Sequence, residues 1–195
     1  SYYFSGYIAQ AYSQLKNKGF THYFIVADDM ILNPCINEKN IFQIIGLKEN
    51  ECLLPKFWIM HTMKRFWTNT EFAVKYNMKQ NGVQVEKILP SIEDAKRQFD
   101  KYNLPYGRIP FKALIPYNIL TLKTLVKALP FTRTLNYPLV GGYSDMFMVP
   151  ADTMKNFSLY CGAFSATKLW VELAIPTSMV LSSDNIKVCE DLGWK

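Results

Sequence analysis

The feature that most constrains this chain is an apolar run that ends abruptly in two acids. Residues 22–27 read HYFIVA, and Asp28 and Asp29 follow directly. A continuous apolar run of this length is typical of a parallel strand that is buried on both faces. We therefore predict a buried parallel strand over 22–27, with both carboxylates at its carboxyl end, where open α/β sheets bind their ligands.

Helical and strand-like segments alternate along the rest of the chain. The predicted helices cover 6–18, 38–45, 91–104, 120–129, 152–160 and 167–175. The predicted strands cover 22–27, 52–60, which Pro55 interrupts, and 139–149. Ser91 with Asp94 three residues later predicts a capped helix start. Gly162 is a predicted helix stop, and Pro176 starts a final segment. The alternation predicts an α/β fold with a mainly parallel sheet flanked by helices.

The composition is that of one globular domain. Of the 195 residues, 49% are apolar and 19% are charged, values that suit a single packed core. No apolar run reaches the roughly 18 residues that a transmembrane helix needs. Four widely spaced cysteines without a CxxC pair do not have the spacing of a zinc site, so we expect buried reduced thiols and a cytoplasmic protein.

The net charge of +6 leaves three interpretations open. It suits an anionic membrane surface or a phosphate-bearing substrate, and a solvated excess without function is the alternative. The basic residues are scattered, and no motif of a nucleic-acid-binding domain is present. We therefore expect no nucleic-acid partner, and we include peripheral contact with a membrane among the predictions.

The acid pair that ends the first strand suits a cation. Two adjacent carboxylates, Asp28 and Asp29, repel each other unless a cation or hydrogen bonds compensate them. Mg²⁺ and Mn²⁺ prefer oxygen ligands and are often held by one or two carboxylates together with substrate phosphates. A turn in which an aspartate caps the following backbone is the structural alternative.

Three stretches resemble parts of the GT-A nucleotide-sugar glycosyltransferases. Residues 21–34, THYFIVADDMILNP, resemble the DxD segment of that family. Residues 141–145, GGYSD, and 170–177, WVELAIPT, resemble its acceptor-side glycine turn and its later acidic helix. The resemblance implies a GT-A-like, Rossmann-like fold, in which Asp28 and Asp29 bind a divalent metal, Mn²⁺ or Mg²⁺, and the donor diphosphate.

The resemblance also predicts the domain organisation. We expect one glycosyltransferase-like domain over 1–195, with residues 61–137 as a variable insertion on the acceptor side. The family's N-terminal strand and its glycine-containing loop have no counterpart in this chain, which begins at Ser1. We therefore expect that native sequence upstream completes the fold.

Two further acids are candidates for the general base of a sugar transfer. In an inverting transfer, a carboxylate such as Asp145 accepts the proton of the attacking hydroxyl. Gly141, Gly142 and Tyr143 are predicted acceptor contacts, since glycines let the backbone approach a ligand closely. A bend at the glycine pair, with Asp145 bonded to a backbone amide, is the structural alternative. Glu172 lies among apolar neighbours and competes for the base role, unless it marks the polar edge of an amphipathic helix.

Basic and aromatic residues complete the predicted site. Arg65 and Arg133 are predicted to bind the donor phosphates, because a guanidinium offers a bidentate fork to phosphate. Trp58 and Trp67 are candidates for stacking on a sugar, with core packing as the alternative. His61 follows a strand-like run and is a candidate phosphate or metal contact, although a structural role is favoured.

The resemblance therefore implies a bacterial glycosyltransferase of surface-polysaccharide synthesis. Its expected partners are a nucleotide-sugar donor and a carbohydrate or lipid-linked acceptor, and its expected location is the cytoplasm, at the inner face of the membrane. A Mg²⁺-dependent phosphohydrolase or phosphotransferase is one alternative, because acids also follow a buried strand in those enzymes. A non-catalytic carbohydrate-binding module is the other.

Overall fold

The computed structural model describes residues 3–128 and 133–193. Within these ranges the chain forms seven α-helices, α1 Phe4–Leu15, α2 Ile41–Ile45, α3 Thr70–Lys75, α4 Ile92–Lys101, α5 Ile119–Ala128, α6 Ala151–Ala166 and α7 Val171–Ser182. The strands are β1 His22–Val26, β2 Cys52–Leu53, β3 Phe57–Trp58, β4 Gly141–Gly142, β5 Met146–Pro150 and β6 Ile186–Lys187. Short 3-10 helices lie at Gln80–Gly82, Phe111–Leu114 and Cys189–Leu192. The protein is a mixed α/β structure.

The main sheet is mixed, and the prediction of a mainly parallel sheet is wrong. Its strand order is β1-β5-β2-β6, in which β1 and β2 run antiparallel to β5 and β2 runs parallel to β6. β1 is an edge strand of this sheet, and apolar clusters contact both of its faces. Tyr23 and Ile25 join the main core, and Phe24 joins a smaller cluster with Ile41 and Met148. Of the five residues of β1 only Tyr23 is buried, and Val26 is 39% exposed, so the prediction of a strand buried on both faces is wrong.

Two predicted strands are each divided between two sheets. The stretch 52–60 forms β2 and, after Pro55, β3, while the stretch 139–149 forms β4 and then β5. β3 and β4 pair antiparallel as a separate two-stranded sheet, with Trp58 opposite Gly141. The predicted interruption at Pro55 is confirmed, whereas the prediction of one unbroken strand over 139–149 is wrong. At the first break the physical reason is plain, because proline has no N–H to donate to a strand ladder.

Four helices lie where the sequence periodicity places them. α1, α2, α4 and α5 overlap the predicted segments. The side chain of Ser91 caps α4 by accepting a hydrogen bond from the backbone N of Asp94 at 3.1 Å. The predicted end of α5 at Leu129 lies outside the described residues.

The last two helices differ from the prediction. α6 continues through Gly162, the predicted stop, and a Cβ at this glycine would come within 3.2 Å of the Cβ of Ala9 on α1. Gly162 therefore permits close helix packing and does not end the helix. α7 begins at Val171, later than the predicted start at 167, and it includes Pro176, the predicted start of a separate segment.

The main core lies between the sheet and helices α1, α6 and α7. Phe147 of β5 and Phe157 of α6 are fully buried, and their rings meet edge to face at 5.7 Å. The hydroxyl of Thr177 on α7 accepts a hydrogen bond from the backbone N of Val140 at 3.1 Å. This contact ties α7 to the segment that leads into β4, and the core thereby holds the ends of β1, β5 and α7 in place.

The cysteines and the helix lengths bear on two further predictions. All four cysteines are free thiols; Cys52 and Cys161 are buried as predicted, whereas Cys35 is exposed and Cys189 is half-buried. Across residues 3–128 and 133–193, no helix combines the length and the apolar character needed to cross a membrane.

Candidate functional site

Asp28 and Asp29 lie at the tip of the turn that follows β1. The backbone N of Met30 donates to the carbonyl oxygen of Ala27 at 3.2 Å and closes the turn. Both aspartates are exposed. Among the residues that the structure describes, neither aspartate side chain has a hydrogen-bond or ion-pair partner. The turn that was the structural alternative is therefore present. A backbone hydrogen bond closes it, and not an aspartate side chain, so both carboxylates are open to a ligand.

The start of β5 brings Asp145 to the same end of the sheet. β1 and β5 pair with Val26 opposite Met146, and the backbone N of Ala27 donates to the carbonyl oxygen of Asp145 at 2.6 Å. The side chain of Asp145 is exposed. The antiparallel ladder therefore fixes the backbone of Asp145 directly beside the turn that carries Asp29.

The charges of Asp29 and Asp145 both affect the pKa of Tyr143. Burial is the largest cause of the raised pKa of its hydroxyl. The negative side chain of Asp145 raises that pKa further, and so does the charge of Asp29. The tyrosine is 36% exposed. Asp29, Tyr143 and Asp145 therefore form one electrostatic group that a ligand can reach from solvent.

Glu172 joins this group from the first turn of α7. The Nδ2 of Asn69 donates a hydrogen bond to its Oε2 at 2.5 Å. Burial is the largest cause that raises the pKa of the Glu172 carboxyl, the hydrogen bond from Asn69 lowers it, and the negative charge of Asp145 raises it. The carboxyl is half-buried, and the bond from Asn69 fixes its position.

The structure thus brings together acids that the sequence places on three distant segments. We name Asp29, Tyr143, Asp145 and Glu172 the acidic end. Within the described residues, no group of three or more His, Cys, Asp or Glu side chains is arranged to hold a metal ion. Mg²⁺ needs fewer protein ligands, because it is usually bound by one or two carboxylates and completes its shell with water and phosphate oxygens. Asp28 and Asp29 could supply these carboxylates.

The glycine pair behind the acidic end is packed against protein atoms. Gly141 and Gly142 are both buried. A Cβ at Gly141 would lie 2.8 Å from the ring of Trp67, and a Cβ at Gly142 would lie 2.7 Å from the carbonyl oxygen of Lys56 and 2.8 Å from Cγ of Pro176. Internal packing therefore accounts for the absence of side chains at both positions, while Tyr143 is the exposed residue of this predicted acceptor segment.

Aromatic rings flank the acidic end on two sides. Trp58 and Trp67 meet edge to face at 5.3 Å, and both are half-buried. Trp170, next to Glu172, stacks on Phe72 with ring centres 5.3 Å apart. The tryptophans pack on protein partners and yet keep part of their surface exposed, so core packing and sugar stacking are compatible at these positions.

The predicted basic contacts lie outside the contacts of the acidic end. Arg65 is exposed, and the guanidinium of half-buried Arg133 lies over the ring of Phe111 at 5.6 Å. Within the described ranges, neither arginine forms an ion pair. Binding of the donor phosphates by these two residues stays a prediction. His61 is only 7% exposed, and burial lowers its pKa, which suits the structural role.

Asn69 is the site residue that sequence reasoning missed. It immediately precedes α3, where an asparagine is expected to cap the helix, but its side chain makes no capping hydrogen bond. The amide is instead bonded to Glu172, 103 positions later in the chain. No local pattern announces such a pairing, because only the tertiary fold brings the two residues together.

Two clefts lie at the opposite end of β1 and β5. Their volumes are about 890 Å³ and 440 Å³, and both are lined by Thr21, His22 and Phe42. The His22 imidazole is hydrogen-bonded through Nε2 to the carbonyl oxygen of Glu49 at 2.7 Å. The smaller cleft is also lined by Leu32, which follows the turn that carries Asp29, and by Met148 of β5.

Comparison with protein-family models, with curated proteins and with solved structures finds no match for this chain.

Proposed function

We propose that this protein is a glycosyltransferase that moves a sugar from a nucleoside-diphosphate donor to a carbohydrate or lipid-linked acceptor. The observation that carries the proposal is the meeting of Asp29, Tyr143, Asp145 and Glu172 at one end of the main sheet. These residues belong to the segments that resemble GT-A glycosyltransferases, and a GT-A-like arrangement is part of the proposal.

In the proposed transfer, Asp145 is the general base. Its carboxylate accepts the proton of the acceptor hydroxyl while the hydroxyl oxygen bonds to the anomeric carbon of the donor sugar. The bond between that carbon and the diphosphate breaks, and the nucleoside diphosphate leaves with the bonding electrons. A divalent cation bound by Asp28 and Asp29 would neutralise the charge that develops on the diphosphate.

Tyr143 and Glu172 have supporting roles in this scheme. The charge of Asp145 raises the pKa of the Tyr143 hydroxyl, and in this scheme the hydroxyl orients the carboxylate of Asp145. Glu172 is held by Asn69 and is positioned to bind a second hydroxyl of the acceptor. Because its pKa is raised, Glu172 is less suited than Asp145 to a cation site and better suited to a neutral hydroxyl.

The proposal extends to the cellular setting. A transfer of this type serves bacterial surface-polysaccharide synthesis, and a lipid-linked acceptor would place the protein in the cytoplasm at the inner face of the membrane. The protein would then meet a soluble donor and a membrane-bound acceptor at the same time.

A carbohydrate-binding module without catalysis is the second candidate. Two observations favour it: the described residues hold no three-ligand metal group, and Trp58 and Trp67 keep exposed surface close to the buried glycine pair. Such a module would bind glycans through these rings and would have no use for a nucleoside diphosphate.

Thermal-shift binding of a panel of nucleoside diphosphates, with and without Mn²⁺, tests the proposal. We expect one nucleotide to raise the melting temperature only when Mn²⁺ is present, because a ligand that binds only the folded state stabilises it. Asp29→Ala should lose this shift. Asp100→Ala, which removes an exposed acid on α4, should keep it.

The alternatives give different results in the same assay. A protein that binds glycans but shows no shift with any nucleotide is the carbohydrate-binding module. Release of inorganic phosphate from small phosphoesters would identify a phosphohydrolase. An unchanged Mn²⁺-dependent shift in Asp29→Ala would show that the metal assignment is wrong.

A further inference from the structure

Helix α5 turns its large apolar side chains toward solvent. Ile119 is 72% exposed, Leu122 47% and Val126 55%, whereas the small side chains of Thr121 and Ala128 are buried at 0% and 7%. A helix on the surface of a soluble domain normally shows the opposite arrangement, with its large apolar side chains facing the core. Among residues 3–128 and 133–193, the outward face of α5 is therefore an exposed apolar surface.

Lysines border this apolar surface. Lys123 and Lys127 are exposed one helical turn apart on α5, next to Leu122 and Val126. The preceding 3-10 helix adds exposed Lys112 and Phe111, the latter 73% exposed. We name the whole surface the basic apolar face; it comprises Phe111, Lys112, Ile119, Leu122, Lys123, Val126 and Lys127.

The charge of the surrounding sequence is one-sided. Residues 101–144 contain no Asp and no Glu, and their six basic residues are Lys101, Arg108, Lys112, Lys123, Lys127 and Arg133. Six positive charges equal the formal net charge of the whole chain, +6. In the part of the chain that the structure describes, none of the three lysines of the basic apolar face forms an ion pair, so their charges are available to an anionic partner.

The combination of aliphatic side chains and lysines selects among anionic partners. Single-stranded nucleic acid is usually held by aromatic rings that stack on its bases, and Ile119, Leu122 and Val126 cannot stack. The centre of a protein interface is depleted of lysine. A bilayer surface with anionic headgroups accepts both groups at once, because aliphatic side chains enter the boundary of the acyl chains while lysines stay at the phosphates.

We propose that the basic apolar face binds the surface of an anionic lipid bilayer, with α5 lying in the plane of the interface. Ile119, Leu122 and Val126 enter the lipid, and the lysines contact the headgroup phosphates. The binding is peripheral and electrostatic in part, so it weakens as salt rises. It does not depend on the chemistry proposed for the acidic end.

One segment connects this face with the acidic end. The backbone N of Phe66 donates to the carbonyl oxygen of Ile115 at 2.9 Å, in the stretch between Phe111 and α5. Three positions later, Asn69 holds Glu172. A lipid-linked acceptor bound at this face would therefore lie on a segment that is continuous with the one that holds Glu172, a consequence that rests on the proposed function.

Flotation of the full chain with lipid vesicles tests the proposal. We expect binding to vesicles of phosphatidylcholine mixed with phosphatidylglycerol and no binding to phosphatidylcholine alone. Each lysine near an anionic surface strengthens binding about fivefold, so the double variant Lys123→Glu and Lys127→Glu should bind about 25-fold more weakly or worse. Ile119→Ser with Val126→Ser should also weaken binding, since it removes the aliphatic contact.

The matched control is Lys16→Glu with Lys18→Glu, which makes the same change of charge at exposed positions after α1. It should bind nearly as well as the unmodified chain. An equal loss in this control would assign the effect to net charge, and wild-type binding by the Lys123 and Lys127 variant would remove the lipid role of the face. A dimer in gel filtration that the Ile119 and Val126 variant dissociates would show that a second copy of the chain covers the face instead.

The nucleotide assay separates this inference from the proposed function. The Lys123→Glu and Lys127→Glu variant should show the same nucleotide-dependent shift in melting temperature as the unmodified chain. Failure to bind vesicles with a normal nucleotide shift sinks the membrane proposal alone, whereas vesicle binding without any nucleotide shift sinks the glycosyltransferase proposal alone.

Discussion

The acidic end and the basic apolar face are built in opposite ways. Asp29, Asp145 and Glu172 come from three distant segments, and backbone pairing between β1 and β5 brings the first two together. The basic apolar face comes from one short stretch, 111–127, which contains a 3-10 helix and α5. The first therefore depends on the whole fold, and the second depends on which side of α5 faces inward.

Both regions work against stability, and this is what they share. Carboxylates gathered at one point repel each other, and exposed aliphatic side chains give up the free energy of burial. Sequences usually avoid such local conflicts, and the exceptions concentrate at functional sites. The opposite signs of the two regions suggest a division of labour, with cation and sugar chemistry at one and anionic lipid at the other.

The largest expected effect comes from breaking the acidic end at Asp145. Asp145→Asn removes the proposed general base, and turnover of sugar transfer should fall by about 10²- to 10⁴-fold, the usual contribution of such a group. Because the side chain is exposed, the melting temperature should change little. Steady-state transfer to a soluble acceptor, with donor binding measured in parallel, checks this prediction.

The basic apolar face supplies the control for that measurement. Lys123→Glu alters an exposed residue of α5 and should leave transfer to a soluble acceptor unchanged. Full activity in Asp145→Asn would move the base role to Glu172, and equal losses in both variants would show that the two regions do not act separately.

A smaller effect, on stability, is expected at the glycine pair behind the acidic end. Gly142→Ala places a Cβ within 2.8 Å of both the Lys56 carbonyl oxygen and Pro176, and overpacking of this kind costs about 1–3 kcal/mol of the free energy of unfolding. Leu122→Ala on the exposed face of α5 should stay within about 0.5 kcal/mol of wild type. Urea unfolding of both variants measures the contrast, and equal stabilities would mean that β4 has room that the packing does not show.

Much of the acidic end could be predicted because its signals are local. A strand that ends in Asp28 and Asp29, and a glycine pair that leads to Asp145, are patterns within a few residues of each other. The N-cap at Ser91 is a signal of the same kind, and the structure confirms it. Short-range stereochemistry is sufficient for such features.

The direction of the strands could not be predicted in this way. β1 has the apolar run of a parallel strand, yet it pairs antiparallel with β5. Apolar clusters contact both of its faces, and these contacts do not depend on the direction of the partner strand. Gly162 has the appearance of a helix stop, but α1 packs against it and α6 continues. In both cases the deciding partner is far away in the sequence.

The same limit applies to the pair of Asn69 with Glu172 and to the exposure of α5. A helix was predictable near 120–129, but its buried side carries Thr121 and Ala128, and its larger side chains face solvent. Burial of the larger residues would be the normal expectation. Which side of a helix faces inward is set by the surface that receives it, here including α3, and no local pattern encodes that surface.

The smallest expected effect is on how the free energy of unfolding changes with pH. The pKa of Glu172 is raised in the folded protein, first by burial and further by the charge of Asp145. The folded state therefore binds the proton more tightly than the unfolded state does. The resulting stabilisation is fully present below the model-peptide pKa of 4.5 and is lost as the pH rises through the raised value.

Glu172→Gln should remove this loss, because an amide does not ionise and can still accept the hydrogen bond from Asn69. Its free energy of unfolding, followed by urea titration across that pH range, should decline less with rising pH than that of wild type, whereas exposed Glu38→Gln should follow wild type. The charge of Asp145 raises the pKa of Glu172. Asp145→Asn removes this charge, so the decline in stability should move to lower pH than in Glu38→Gln. Lys123→Glu, in the basic apolar face, should leave the decline in place, and a shift there as large as in Asp145→Asn would show that the two regions are electrostatically one.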